Sequence, residues 1–578
     1  MGLTSVFNIG RSAMTASQLG LQISGNNLAN AANPTYSRQT PILKSGLGTR
    51  GSDNLYIGSG VRVDGIRREI SEALQQRLRA GIANQAGAQK QLDVYASVEA
   101  SLNELTGYDL SSQLSNFFNG WSERANLIQS SAVIVQQGEQ LAGFIRQMRD
   151  DLMGQRMQID QELDASVGRA DSLLQEVADL NVAISDAEQG RYTAGGLRDQ
   201  RDQILAELSE LLDISTIEHE NGAVDVLVGS TPVVLDGINR GLELHRESSN
   251  GEIDVWVAVT DDKTRAPITD GHIGALLETR GQAVDATVDE LDDIAGRLIF
   301  EINKIHANGA NLNGLENATG TMRMGLSDRT LALNDPSNGA LAGLPYTPTN
   351  GGFLVHVKNT ASGATQTVRI DIDLDGRDAT GAPGFDDDTS AEDIRAAIDA
   401  VSGLSASFNA EGQLSIDAAP GMTFSFAEDS SGALAALGVN AYFTGTNASD
   451  IAVRQDLMAN PSKLMVGRIE NGTFVENATA LEIADLQTKP LDELGGESLR
   501  SSWSNAVQKV ANRTSTAITR VEAAGVVRES LEAQRSAVSG VSIDEETINL
   551  LTYQRQFQGA ARLISIADEM FQTLLSVI

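Results

Sequence analysis

Hydrophobic positions repeat with two different periods along this chain, and the change of period divides it. Between residues 137 and 190 apolar side chains return at helical spacing, at Leu141, Ile145, Met148, Leu152, Ile159, Val167, Leu174, Val177 and Ile184, which predicts a long amphipathic helical stretch. Leu92, Tyr95, Leu102 and Leu105 form a shorter stripe, and Val507, Val510, Thr514, Ala517, Val521 and Ala524 form another near the other end. All three read as helices of one bundle. Proline placement agrees: none of the 11 prolines lies between 42 and 231 or after 490, so these stretches are free of the residue that breaks helix interiors.

The last 36 residues carry a stricter pattern. Leu550, Phe557, Ile564, Phe571 and Ile578 fall every seven residues, Tyr553, Ala560, Ala567 and Leu574 occupy the companion positions, and Ile543 extends the series upstream. A sustained seven-residue repeat of this kind predicts a coiled-coil seam. Segment 4–31 offers a second one, with Ile9, Ala16 and Ile23 seven apart and Met14, Leu21 and Leu28 likewise. Its helix is expected to stop before Asn33-Pro34, because the residue preceding a proline is pushed out of the α region. Two apolar terminal helices must each bury their seam. They can do so against one another or among many copies of the chain.

Between the helical ends the period falls to two. Residues 213–262 alternate apolar and polar side chains around Asn-Gly at 221–222 and 250–251, the chemistry of tight hairpins. Helix is expected again over 271–309, and from about 325 to 488 short strand patterns and turn residues return. Within that region the strand VRIDIDL (368–374), a helix capped by Thr389 or Ser390 and running to Val401, and the hairpin LSASFNAEGQLSID read as a β-α-β unit. The fold class expected is α+β multidomain: a terminal coiled-coil layer and a long-helix bundle with inserted β-rich domains. The boundaries read as 1–65 with 541–578 for the terminal coiled coil and its N-terminal hairpin region. Residues 66–212, 271–324 and 489–540 form the bundle, 213–270 a small hairpin insertion, and 325–488 the β-rich part.

Composition narrows the function. With 43 Lys+Arg against 77 Asp+Glu the formal charge is −34, opposite to the basic footprint that nucleic acids and anionic membranes require. The absence of cysteine excludes disulfides, thiol catalysis and thiolate-bound metals. No apolar run is long enough for a membrane span, and MGLTSVFNIGRSAMTASQLG lacks the pattern of a cleaved export signal, so neither is expected. Residues 1–52 hold Arg11, Arg38, Lys44 and Arg50 but no acid, which marks them as a segment handled apart from the rest.

Candidate chemistry is sparse. Asp371, Asp373, Asp375 and Gly376 match the start of a calcium loop, but Ala382 stands where that loop needs a bidentate Glu and a strand precedes it, so the segment reads as an acidic hairpin tip. The acidic run Asp386, Asp387 and Asp388 reads as a solvated face. His219, His245, His272, His306 and His356 show no metal-binding spacing and are expected at the surface or lightly buried. No phosphate-cradling loop or nucleophile elbow is present. No catalytic residue, cofactor or metal is assigned.

The segment SQLGLQISGNNLANAANPTYSRQ (17–39) resembles the N-terminal motif of bacterial flagellar axial proteins of the rod, hook and hook-associated class. The hairpin YIGSGVRVDGIRRE (56–69) and the tail SIDEETINLLTYQRQFQGAARLISIADEMFQTLLSVI (542–578) are similar to the same class, and 437–464 resembles its hook–filament junction members. One departure concerns the turn before Tyr36, where Thr35 replaces the glycine usual in the class. The resemblance implies a structural, extracellular, non-enzymatic protein, an adapter between hook and filament required for filament assembly. It also implies terminal helices that line the axial structure and are disordered in the free monomer, and about eleven copies in one ring. The partners it implies are further copies of the chain, the hook protein, hook-associated protein 3, an export chaperone on the C-terminal helix and the flagellar export apparatus. The packing residues it points to are Ile9, Met14, Leu21, Ile23 and Leu28 at one end and Leu550, Tyr553, Phe557, Ile564, Phe571, Leu574 and Ile578 at the other. A hook or distal-rod component, or an adhesin or enzyme on an axial scaffold, remain the alternatives.

Overall fold

Long helices occupy most of the two proline-free stretches. The computed structural model describes all residues except 1, 51–55, 103–106, 190–192, 250–251, 343, 345–346, 379 and 578. In chain order its helices are α1 (Gly2–Ala29), α2 (Glu72–Leu102), α3 (Leu110–Ala125), α4 (Ser131–Glu188), α5 (Gly195–Leu211), α6 (Gly271–Thr279), α7 (Ala286–Ala307), α8 (Ala391–Asp399), α9 (Ala433–Ala436), α10 (Gln455–Ala459), α11 (Ala478–Asp485), α12 (Leu499–Ser539) and α13 (Ile543–Val577). The chain divides into two units. The first comprises Met1–Val94, Gln158–Thr279 and Ser515–Ile578, and the second Tyr95–Met157 and Arg280–Thr514. Among the described residues no helix is long and apolar enough to cross a membrane.

In the first unit, Leu163, Leu173, Leu174 and Val177 of α4 are buried, as are Leu205 and Leu208 of α5. Ile159, Val167, Leu174, Val177 and Ile184, the positions of the expected helical stripe that fall in this unit, are all buried. Four antiparallel strands, Ile214–Glu218, Val224–Val228, Thr231–Leu235 and Ile238–Asn239, follow in sequential order. Gly222 takes φ +82 in the first turn, where a side chain would be strained. Buried Asn181 and Arg201 tie this sheet to the helices: Asn181 Nδ2 donates to the Val224 carbonyl at 2.8 Å, and Arg201 Nη1 donates to Asn181 Oδ1 at 2.9 Å and to the Gly222 carbonyl at 2.6 Å. Leu242–Ser249 and Glu252–Val259 pair antiparallel; their expected Asn-Gly turn at 250–251 lies outside the described residues.

The core of the second unit is aromatic on one side. Trp121 of α3 meets Tyr442 edge-on, Phe117 packs tilted against Tyr442 and Phe443, and Phe118 packs edge-on to Phe117, while the Tyr442 hydroxyl donates to the Ile134 carbonyl at 2.8 Å. Gly138 makes room for it, since a Cβ there would lie 2.0 Å from that hydroxyl. Elsewhere, strand Gly351–Asn359 sits between Thr365–Ile372 and Met422–Ala427, while Leu414–Ala418 sits between Asn317–Thr319 and Leu404–Phe408. Ser390 caps α8 in a reciprocal box with Asp393.

Three expectations need correction here. The strand before α8 and the hairpin after it belong to different sheets, so the segment is a connection between sheets and not a β-α-β crossover; helical and strand periodicity identify elements but not which strands pair. The helix expected over 271–309 is interrupted by a π-turn, Arg280–Asp285, in which Arg280 and Asp285, five residues apart, pair at 3.3 Å. Finally, His306 and His356 are buried more deeply than expected, because each ring finds a hydrogen-bond partner inside: the Asn440 carbonyl for His306 and the Thr367 hydroxyl for His356.

Candidate assembly surface

The two termini meet in the first unit. α1 and α13 lie antiparallel, with Gly10 facing Ile564 and Gly20 facing Tyr553. A Cβ on Gly10 would stand 2.6 Å from Ile564 Cγ1, and one on Gly20 2.6 Å from the Tyr553 ring, so both large side chains rest on bare backbone. Ala16, Ser17, Ile23 and Ser24 of α1 and Ala560 and Ala567 of α13 are buried along the same seam. Small residues let the two helices approach closely, and Ile and Tyr fill the spaces that approach leaves.

A polar latch closes the end of this pair. Asn27, 1% exposed, donates through Nδ2 to the Gln39 carbonyl at 2.9 Å, and its Oδ1 accepts from Gln39 N at 3.0 Å and from the Tyr36 hydroxyl at 2.8 Å. Asn26 Nδ2 donates to the same hydroxyl at 3.2 Å. Burial, and after it the charge of Asp199, pushes the Tyr36 phenol up to about 12, so it stays protonated and remains a donor. Arg38 then bridges to α13: its Nε lies 2.9 Å from Glu546 and its Nη1 2.8 Å from Glu545, while its N–H donates to the Ser539 carbonyl at 3.0 Å. Glu546 is 1% exposed and so depends on that guanidinium. The strand pair Gln39–Ser45 and Val61–Arg68 is pinned to α1 where Val61 N donates to Ser12 Oγ at 3.2 Å, beside Gly60 at φ +95. At its other end Arg68 pairs with Asp199 at 2.7 Å and also with Asp202.

The packing residues expected from sequence are distributed unevenly. Ile23 is buried; Ile9, Met14, Leu21, Leu550, Tyr553, Phe557 and Ile564 are partly buried; Leu28, Phe571 and Leu574 are exposed; Ile578 lies outside the described residues. The heptad pattern missed Gly10 and Gly20, which a hydrophobic periodicity cannot register. It also missed Asn27, Arg38 and Glu546. Paired asparagines late in a helix, followed by Asn-Pro and a tyrosine, were the signal that could have found the latch.

A second apolar surface remains uncovered. Ile548, Leu551, Ile566 and Met570 of α13 are each at least half exposed, and Phe571, Leu574 and Leu575 continue the exposure toward the C-terminus. Apolar side chains gathered on one terminal helix in this way mark a surface for association. The chemistry available is helix packing and a charged clasp.

Residues 95–322 match the family described as Flagellar hook-associated protein FlgK helical domain, and residues 533–577 match the family described as Flagellar basal body rod FlgEFG protein C-terminal. Flagellar hook-associated protein 1 of Escherichia coli (strain K12) is 24% identical over 602 residues, covering 100% of each chain. The protein of the same name from Salmonella typhimurium is 23% identical over 595 residues, again with 100% of each covered. That from Bacillus subtilis (strain 168) is 24% identical over 357 residues, covering 54% of this chain and 69% of its own. Among solved structures, the flagellar hook junction protein FlgK from Burkholderia pseudomallei superposes with a TM-score of 0.49 at 13% identity, over 80% of this chain and 100% of that one.

Proposed function

Because this chain belongs to the flagellar hook-associated protein 1 family, we propose that its copies form a closed ring between hook and filament, held together through the uncovered face of α13. It is a hook-associated axial protein of the bacterial flagellum, in a structural family. The observation that carries the proposal is the double-faced terminal helix: one side of α13 is closed by α1, and the other presents Leu551, Ile566 and Met570 to solvent. In a ring of about eleven subunits each such face meets a neighbouring copy, because a closed ring satisfies every interface. In this reading residues 1–65 with 541–578 supply the subunit contacts. The helical stretches 66–212, 271–324 and 489–540 support them, and the β-rich stretches 213–270 and 325–488 are separate modules.

The hook protein and hook-associated protein 3 are the neighbours along the axis, and the role is mechanical with no catalytic step. An exposed apolar helix also needs covering before assembly, which makes α13 the site for an export chaperone ahead of passage through the export apparatus. Electron microscopy of cells lacking the gene, with flagellin assayed in the medium, tests the placement. Bare hooks with shed flagellin are expected; hookless basal bodies or normal filaments overturn it.

A further inference from the structure

The acidic loop after strand Thr365–Ile372, in the second unit, is assembled differently from what its sequence suggests. Asp371, the first acid of the D-x-D-x-D-G run, points to its own strand, where Arg369 Nε donates to it at 2.6 Å. Asp373 and Asp375 are joined instead by Asp388, from the far end of the loop, so that one carboxylate oxygen of each lies within 4.8 Å of the others. The loop neck is closed by reciprocal bonds: Asp373 N donates to Thr389 Oγ1 at 2.8 Å and Thr389 N to the Asp373 carbonyl at 2.7 Å. Gly376, at φ +70, makes the turn that brings its N–H to Asp388 Oδ2 at 3.1 Å.

Asp388 is the informative residue. It is 5% exposed, and although Oδ2 accepts from Gly376 N and from Asn334 Nδ2 at 2.7 Å, its buried Oδ1 has no donor among the described residues. The buried Asn334 Oδ1 beside it also lacks one. A buried carboxylate oxygen without a donor or cation is costly, and the neighbours add to the cost. Burial, and after it the charges of Asp375, Asp388 and Asp387, hold the Asp373 carboxyl above its usual range. Three carboxylates thus converge, one of them buried with an oxygen that no described donor satisfies.

We propose that Asp373, Asp375 and Asp388 bind a calcium ion, with Asp388 in place of the bidentate Glu that the linear motif lacks. The donors are all oxygen, which suits a hard cation and not zinc. Asp373 and Asp375 are exposed, which leaves that side of the cluster open to water. Calcium accepts six to eight oxygens in flexible geometry, whereas magnesium demands a near-regular octahedron. The site goes beyond the flagellar assignment and does not depend on it.

The test is titration of the full chain with CaCl2 and, separately, MgCl2, followed by calorimetry and by thermal unfolding. One calcium site is expected, with Kd on the order of 10⁻⁴–10⁻³ M as in open extracellular modules, and a Tm that rises with calcium concentration. Asp388→Asn and Asp375→Asn each weaken binding by about tenfold or more, while Asp371→Asn binds like the unmodified chain. Asp375 is exposed, so its variant keeps the test decisive where Asp388→Asn fails to fold. Absence of calcium heat and of a Tm shift up to about 10 mM overturns the site, as does binding that survives Asp375→Asn or is lost in Asp371→Asn.

Discussion

Gly20 of α1 lies directly beneath the ring of Tyr553 of α13, so close that a Cβ in its place would stand 2.6 Å from ring carbons Cδ1 and Cε1. Gly20→Leu therefore cannot be absorbed without separating the helices or turning the ring out. Overpacking of this kind costs about 1–3 kcal/mol. Amide hydrogen exchange across α1 and α13 is expected to accelerate together in this variant while α3 and α7 in the second unit keep their protection. Unchanged exchange in α13 would show that the seam does not depend on the glycine.

Arg38 and Glu546 set the next expectation. Glu546 is buried and Arg38 Nε lies 2.9 Å from it, so Arg38→Ala leaves a carboxylate without its cation. The loss is expected at roughly 2–4 kcal/mol, below the full cost for a buried pair because Arg38 is itself partly exposed. Adding Glu546→Gln should recover part of it. A double-mutant cycle by chemical denaturation reads the coupling, and additive effects would remove the latch from the account.

Thr35 shows what a sequence departure can mean. Glycine is usual at this turn in the class the N-terminal motif resembles, which raised the question of a left-handed backbone there. Thr35 is not among the residues with positive φ, and its N–H and hydroxyl donate to Asn33 Oδ1 at 3.1 and 2.8 Å. The turn is therefore held by an asparagine side chain and needs no glycine. Thr35→Gly is expected to destabilise by about 0.5–1 kcal/mol, through a lost bond and a freer unfolded chain. Thermal unfolding checks the sign, and a gain in Tm would be the contrary result.

These residues also show what the sequence could and could not express. The long helix of α4 and the terminal pair were legible, because a repeat of apolar side chains is itself the record of a buried face. Gly10 and Gly20 were not, because a contact made by backbone leaves no hydrophobic mark. Nor was the company of Asp373: the linear motif pointed to Asp371 and Ala382, whereas the loop neck at Thr389 brings Asp388 into the cluster. The pairing of strands on either side of α8 was lost for the same reason, since register and partner are decided by tertiary packing.

His306 gives the second unit a pH dependence. The ring is fully buried, donating from Nδ1 to the Asn440 carbonyl at 2.7 Å and accepting at Nε2 from Met465 N at 3.1 Å, an arrangement that only the neutral ring satisfies. Burial lowers its pKa from 6.5 to about 4. Between those values the unfolded chain binds the extra proton, so this contribution is complete above pH 6.5 and is lost as the pH falls toward 4. It amounts to about 3 kcal/mol over the interval. Urea unfolding at a series of pH values should show the slope, and His306→Gln should flatten it while lowering stability throughout. A slope that persists in His306→Gln would assign it to other groups.

The outer face of α13 separates assembly from folding. Leu551 and Ile566 are exposed in the single chain, so Leu551→Asp with Ile566→Asp removes no buried contact and should change its stability by less than about 0.5 kcal/mol each. In a ring the same positions become buried, where an unpaired carboxylate is severely unfavourable. The double variant should therefore be exported and folded, yet leave hooks bare. Phe557→Asp, on the partly buried seam, should also block incorporation, but with loosened pairing of α1 and α13 visible by hydrogen exchange. Electron microscopy of cells carrying each variant, with flagellin measured in the medium, distinguishes the two. Normal filaments on the Leu551/Ile566 double variant would mean that subunits meet through another surface and that the exposed face of α13 stays in solvent after assembly.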